Sequence, residues 1–253
     1  MSVSVNSVSK NTTDTTLTLI TNTEFMRIGI MGGTFDPIHY GHLNSAEEIA
    51  EAFKMDRVIF IPAFIPPHKK KEKITDVYHR LMMTMLATLS NPRFEVSTIE
   101  IERDGYSYTI DTVNELRNSF KIGSAKNKFY FIVGVDAFKE IFTWKDAVRL
   151  LKNCNFIVST RPGYRADALF NVLNDTAAKK HGNVKFKIDR KNPFGKSPRL
   201  YIIGSKHFIY PVETTALDIS STNIRRRIKN GTTVKYLLPE FVEEYINKNR
   251  LYK

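Results

Sequence analysis

The sequence predicts an α/β protein built on a doubly wound parallel sheet, with helices on both faces and a helical segment at the C-terminus. Three observations predict it. Apolar runs of strand length recur along the chain at Ile28–Met31, Arg57–Pro62, Lys128–Val135 and Asn155–Ser159. Between them, apolar residues fall at helical spacing. The first run passes straight into a double glycine, Gly32-Gly33, and then into a helical pattern. Strands alternating with helices argue for right-handed crossovers and a parallel sheet. Such sheets bind ligands beyond the carboxyl ends of their strands. Here those ends carry Gly32 and Gly33, Pro62, Gly134 and Asp136, and Arg161, so four points can converge.

In chain order, residues 1–25 are a tract of Ser, Thr, Asn and Val that cannot bury much surface and reads as a disordered leader. It has no basic start and no sustained apolar core, so it is not a secretory signal, and its lack of arginine argues against a transit peptide. After the first strand, Leu43, Ala46, Ile49, Ala50 and Phe53 mark a helix. The strand at Arg57–Pro62 ends in a proline-braced basic loop, AFIPPHKKKEK. A helix from Thr75 to Leu89 is expected to present Tyr78, Leu81, Met82, Met85 and Leu89 to the core, and Phe94–Ile101 alternates like a strand.

Ser107-Tyr108-Thr109 introduces a helix running to about Phe120. The strand Lys128–Val135 is followed by helical stretches carrying Phe138, Ile141 and Trp144, then Leu150 and Leu151. Arg161-Pro162-Gly163 stops the strand at Asn155–Ser159. The spacing over Ala166–Lys180 is compatible with a helix, and a charged loop broken by Pro and Gly follows it. Leu200–Ile203 and Phe208–Val212 read as short strands. Ser220 or Ser221 caps a helix with Ile224 and Ile228 on its apolar side, ended by Gly231. A last amphipathic helix starts at Pro239.

Composition narrows the class. With 253 residues, 42% of them hydrophobic, the chain can bury a sizeable core, and no run of eighteen apolar residues suggests a membrane span. Cys154 is the only cysteine, which excludes an internal disulfide framework; it reads as a buried, inert thiol in a reducing compartment. The net charge is +12, and nine Lys/Arg against Asp189 between Lys179 and Lys206 supply +8 of it. No aromatic-interleaved nucleic-acid motif or zinc spacing accompanies that stretch. It reads as a solvated basic excursion that helps attract anionic substrates.

The chemistry concentrates in IGIMGGTFDPIHYGH, residues 28–42. A helix start offers free N–H groups and the positive end of the helix dipole to anions. Glycines at the strand exit let backbone approach a ligand. His39 and His42, three apart, share a helix face and can both donate to one polyphosphate. Neither a P-loop nor G-x-G-x-x-G is spelled here, so this phosphate loop depends on histidine. A second anion site is written in ISSTNIR, with hydroxyls at a helix start and Arg225 one turn further on. Together they predict two electropositive jaws, one of imidazole and one of guanidinium, gripping one triphosphate in a shared cleft.

The ordered set GGTFDPIHYGH, FIPPHK, SYTIDTV, VGVDAF, TWKD, STRPG, ISSTNIR and VKYLLPEFVEEYI, spanning Arg27 to Asn247, closely resembles the bacterial nicotinate-nucleotide adenylyltransferases of the H-x-G-H superfamily. The resemblance implies a single Rossmann-like nucleotidyltransferase domain over 26–253, with a basic insertion at about 179–199. It implies that ATP and nicotinate mononucleotide give deamido-NAD and pyrophosphate by in-line attack on the α-phosphorus, with no covalent enzyme intermediate and Mg2+ arriving with ATP. His39, His42 and Arg225 would be the catalytic residues. Gly32, Gly33, Thr34, Gly134, Asp136, Ser221 and Thr222 would bind ATP. Thr109, Trp144, Lys145, Arg161 and Lys69 would face the nicotinate mononucleotide.

No protein side-chain metal site is implied, and His68 reads as a loop residue. His79, His181 and His207 have no partner pattern. The expected setting is cytoplasmic, with no membrane or nucleic-acid partner and with self-association open. A sister enzyme using nicotinamide mononucleotide or pantetheine phosphate is the nearest alternative. A nucleotide- or RNA-binding module without chemistry is the alternative from another class.

Overall fold

The computed structural model describes residues 26–69, 73–119, 127–182 and 184–253. The leader expected to be disordered lies outside them.

Eight strands form one sheet. In chain order they are β1 (Arg27–Gly33), β2 (Arg57–Pro62), β3 (Phe94–Val96), β4 (Lys128–Gly134), β5 (Asn155–Thr160), β6 (Phe186–Asp189), β7 (Arg199–Ile202) and β8 (Ile209–Glu213). Their order across the sheet is β3-β2-β1-β4-β5-β8-β7-β6. The chain winds outward from β1 to β3 on one side and from β4 to β8 on the other. The reversal falls between β1 and β4, which pair in parallel from Arg27↔Lys128 to Ile30↔Phe131. A crevice opens at such a switch point, beyond the carboxyl ends of the two strands.

The first six strands across the sheet are parallel, as expected, but β7 runs antiparallel to β8, and β6 runs antiparallel to β7. The reason is connection length. Gly204, at φ 83°, turns β7 directly into β8, and only a long crossover could bring β8 back in parallel. The strand β6 was not anticipated; it lies within the basic stretch that reads as a loop.

Helices cover both faces. On one face lie α1 (Tyr40–Ala52), α2 (Val77–Thr88), α8 (Ser221–Lys229) and α9 (Glu240–Lys248). On the other lie α4 (Thr109–Ser119), α5 (Val135–Lys139), α6 (Ala147–Asn153) and α7 (Ala166–Lys180). The period-2 pleat divides each strand between them: Ile59 and Ile61 of β2 face one core, Val58 and Phe60 the other. Cys154 is buried at the start of β5, and burial pushes its thiol up to about 12, which makes it the inert thiol expected.

Two local expectations fail. Residues 94–101 are not one strand; β3 ends at Val96, and Ile99–Arg103 form the short helix α3. In α2, Tyr78, Met82, Met85 and Leu89 face solvent, while Arg80, Met83, Thr84, Ala87 and Thr88 are buried. The polar residues go inside because each is satisfied there. Thr84 and Thr88 donate to the carbonyls four residues back, and Arg80 donates to three loop carbonyls.

Candidate active site

The turn after β1 is held from several directions. Arg80, 1% exposed, sends Nε to Thr75 O, Nη1 to Thr34 O and Nη2 to Phe64 O at 2.8, 2.8 and 3.2 Å. Asp36 is buried, and its carboxylate accepts from the Tyr252 hydroxyl at 2.7 Å and the Thr75 N–H at 3.3 Å. Phe35 has φ 48°, a backbone strained for an aromatic residue. Its ring packs edge-on against His42 and tilts against Phe60. A Cβ on Gly33 would come within 2.8 Å of that ring, so this glycine is needed for close approach.

His39 is the N-cap of α1 and His42 its third residue. His42 Nδ1 accepts from the His39 backbone N–H at 3.3 Å, the returning half of a capping box. That bond leaves Nε2–H as the donor of the His42 ring. The two rings stack with centroids 3.8 Å apart. Burial holds His39 down to about 4; burial, and then His39 itself, holds His42 well below its ordinary value. The imidazole jaw is therefore neutral rather than electropositive: two desolvated rings in contact cannot both carry charge. His39 Nδ1 is buried with no hydrogen-bond partner.

The pair opens onto a cavity of about 390 Å³ beyond the carboxyl ends of β1, β4 and β5. Gly32, Gly33, Gly134, Asp136 and Arg161 line it. Gly134 has open space where a Cβ would be. Asp136 is exposed inside α5, reached by Lys139 at 3.8 Å, and does not cap the helix. A run of hydroxyls, Ser45 to Ser159 to Thr214 at 3.0 and 2.8 Å, crosses the floor. None of the three was given a role from sequence, although Ser159 opens the STRPG motif.

A second cavity, about 450 Å³, shares Gly32, Gly33, Val133 and Ala137 with the first. Thr34, Thr109, Trp144 and Lys145 line it. Lys145 Nζ pairs with Asp111 at 2.9 Å, which raises its pKa, and lies over the Tyr108 ring at 4.7 Å. His68, in the loop after β2, also lines this cavity, its ring centroid 6.5 Å from that of Trp144. Glu100 is buried there, its pKa raised by burial, and accepts from Thr112 Oγ1 at 2.6 Å. It escaped notice because 94–101 reads as a strand. Arg161, grouped with this side from the resemblance, lines the first cavity instead. It follows the carboxyl end of β5, next to β4. Lys69 ends a 3-10 turn, Pro67–Lys69; its side chain lies outside the described atoms.

The second jaw is present but turned. Ser220 caps α8, accepting from Asn223 N–H at 3.2 Å. Ser221 Oγ donates to Pro37 O at 2.8 Å, and Arg225 Nη1 donates to Asp36 O at 2.7 Å. Arg225 Nη2 lies 3.4 Å from Thr222 Oγ1. Ser221 and Arg225 thus grip the histidine loop, and neither they nor Thr222 line either cavity; Ile219, just upstream, does line the first. The loop after β1 and the start of α8 meet beside one crevice.

A switch-point crevice with a histidine-bearing phosphate loop and paired pockets defines a nucleotidyltransferase. The family model described as cytidylyltransferase-like matches residues 30–227. The chain belongs to that family and, within it, to the nicotinate-nucleotide adenylyltransferases. A probable nicotinate-nucleotide adenylyltransferase of Thermoanaerobacter sp. (strain X514) is 51% identical over 90% of this chain and 95% of its own. That of Moorella thermoacetica is 48% identical over 90% and 92%. In fold, the chain is similar to a Plasmodium falciparum nicotinic acid mononucleotide adenylyltransferase solved with NaAD, with TM-score 0.63 at 19% identity, covering 90% of this chain and 97% of that one.

Proposed function

We propose that the protein transfers the adenylyl group of ATP to nicotinate mononucleotide, giving deamido-NAD and pyrophosphate as a step of NAD biosynthesis. The carrying observation is the pair of cavities joined over Gly32-Gly33, one beside the histidine pair and one walled by Trp144. Two substrates held there would present their phosphates to each other across the glycines.

In this reading ATP occupies the first cavity, with adenosine near Gly134, Asp136 and Arg161. Its phosphates pass over the Gly32–Thr34 turn to the N-terminal end of α1. His42 Nε2–H donates to a phosphate oxygen, and His39 Nδ1 gains the partner it lacks in the free protein. The β- and γ-phosphates run past Ile219 to the start of α8, where Ser221 and Arg225 exchange loop carbonyls for phosphate oxygens and Thr222 offers its hydroxyl. Nicotinate mononucleotide occupies the second cavity, its ring near Trp144 and its anionic groups toward Lys145, Thr109 and Lys69.

The 5′-phosphate oxygen attacks the α-phosphorus in line and the bond to the bridging oxygen of pyrophosphate breaks. The protein's part is alignment and stabilisation of developing charge. Alignment alone can lower the barrier by roughly 7–11 kcal/mol. In this reading Mg2+ bound with ATP would supply neutralisation of the charge that develops on pyrophosphate. Among the described residues no group of three or more His, Cys, Asp or Glu is placed to hold a metal, so its ligands would be phosphate oxygens and water. No described helix is long and apolar enough to cross a membrane, which is compatible with a cytoplasmic setting. We read 26–253 as a single domain.

The test is pyrophosphate release by purified protein offered ATP with nicotinate mononucleotide, nicotinamide mononucleotide or pantetheine phosphate. Preference for the nicotinate substrate is expected; preference for either other acceptor overturns the assignment. His42→Ala should lower turnover by about 100-fold or more with the fold intact.

A further inference from the structure

The turn after α9 lies beyond the motifs that mark the family, and its backbone is unusual. Arg250 and Tyr252 both have positive φ, 54° and 67°, a conformation that crowds any residue carrying a Cβ. Two such residues so close together persist only where their surroundings hold them. Leu251 N–H donates to Ile246 O at 3.0 Å. The Tyr252 hydroxyl donates to Asp36 Oδ1 at 2.7 Å, joining residues 216 positions apart, and its ring packs against the core beneath α1, α2 and α9.

Asp36 stands in the phosphate loop, between Thr34 and His39. It is 4% exposed and lines neither cavity, although Thr34, Phe35 and His39 around it do. A carboxylate at this place threatens the site. Rotated outward, it would meet the phosphates with like charge, or pair with Arg225, whose Nη1 already donates to the Asp36 carbonyl. Both oxygens are held against that rotation, Oδ1 by Tyr252 and Oδ2 by the Thr75 N–H at 3.3 Å. Burial and the neighbouring Asp36 charge raise the Tyr252 pKa, so the hydroxyl keeps its proton and remains the donor.

We propose that Tyr252 is a positioning residue for ATP: by holding the Asp36 carboxylate away from the cleft, its hydroxyl leaves the phosphate loop and Arg225 open to the ATP phosphates. This role rests on the reading that those phosphates cross the loop. Anchoring α9 would not need the hydroxyl. The ring, with Met83 Sδ at 3.9 Å from its oxygen, and the Leu251 bond serve that purpose, and phenylalanine would do as well. A charge-assisted hydrogen bond, in contrast, fixes the carboxylate's torsion, which packing alone leaves free.

The experiment is calorimetric titration of ATP, without acceptor, into wild type, Tyr252→Phe, Ile246→Val, Asp36→Asn and Asp36→Asn/Tyr252→Phe. Steady-state kinetics accompany it, with whichever acceptor wild type uses. Tyr252→Phe keeps the ring and should fold. Ile246→Val, on the buried side of α9, lowers the melting temperature without touching Asp36 and so controls for lost stability. Tyr252→Phe should weaken ATP binding and raise the KM for ATP at least fivefold, with the acceptor's KM within twofold of wild type. Ile246→Val should leave both near wild type, and in the Asp36→Asn background Tyr252→Phe should change ATP affinity less than twofold.

A loss of ATP affinity below fivefold in Tyr252→Phe overturns the proposal. So does an equal loss for the acceptor, a matching loss in Ile246→Val, or a loss above twofold that persists in the Asp36→Asn background. Should Asp36→Asn not fold, Tyr252→Phe against Ile246→Val decides alone. Each of these outcomes leaves the catalytic reading standing. That reading fails by itself if wild type binds ATP but transfers adenylyl to none of the three acceptors, and both fail if wild type does not bind ATP.

Discussion

The guanidinium of Arg225 donates to the backbone carbonyl of Asp36 across 2.7 Å, joining residues 189 positions apart. The bond ties the start of the C-terminal half of the crevice to the phosphate loop. Its chemistry is exchangeable: a phosphate oxygen is a stronger acceptor for guanidinium than a neutral carbonyl. Arg225 can therefore hold the loop in the free protein and turn to ATP when it arrives. Arg225→Lys keeps the charge but loses the planar fork. It should lower kcat by about 10-fold or more with little change in melting temperature; steady-state kinetics beside thermal denaturation checks this, and unchanged kcat would confine Arg225 to holding the loop.

Arg80 has a different task. It is buried and its three donors each meet a loop carbonyl, at Thr75, Thr34 and Phe64. Arg80→Ala leaves those carbonyls without a partner and opens a void, and should cost about 3–5 kcal/mol. Urea unfolding measures it. A loss below about 1 kcal/mol would mean that water replaces the guanidinium.

Acid should weaken the histidine corner. Burial lowers His39 to about 4 from an unfolded value of 6.5, and His42 moves in the same direction. The unfolded chain therefore takes up protons first as pH falls. This contribution to stability is complete above pH 6.5 and is lost as pH falls toward 4, at about 1.4 kcal/mol per pH unit for each histidine. Melting temperatures of wild type should drop across that window more steeply than those of His39→Gln/His42→Gln. Parallel profiles would mean that the pair is charged.

Gly33 and Gly134, both in the lining of the first cavity, should respond oppositely to alanine. At Gly33 a Cβ meets the Phe35 ring at 2.8 Å, so Gly33→Ala should displace the turn and reduce turnover. At Gly134, with φ −68° and ψ 148°, a Cβ meets no protein atom. Gly134→Ala should leave the fold as stable as wild type, or stabilise it by about 0.4–1 kcal/mol, while raising the KM for ATP. Thermal denaturation paired with kinetics separates the cases; an unchanged ATP KM would place the adenosine elsewhere.

Trp144 is the only tryptophan, so its fluorescence reports on the second cavity. Nicotinate mononucleotide should change that signal, and Trp144→Ala should raise the acceptor's KM about tenfold while leaving that of ATP near its wild-type value. A fluorescence response to ATP alone would contradict the division into two pockets.

How much of this was legible depended on range. Gly32-Gly33 and the spacing of His39 and His42 are local, and they mark the phosphate loop without coordinates. The strand at Arg57–Pro62 and the helix at Ala166–Lys180 came out with the bounds the periodicity gave. The buried face of α2 was misjudged because Arg80, although spaced with Val77 and Met83, is not apolar; its three carbonyl partners make burial favourable. The strand β6 was hidden because its partner β7 lies beyond a proline- and glycine-broken turn.

Residue order alone therefore decided the alternation of strands and helices and the residue types carried by each loop, since these follow from hydrophobic period and from backbone preferences within a few residues. Folding decided which rings carry charge, which carbonyls Arg225 and Arg80 hold, and that Tyr252 meets Asp36. Those outcomes depend on desolvation and on contacts between residues far apart in the chain, quantities that exist only once the two halves have closed on each other.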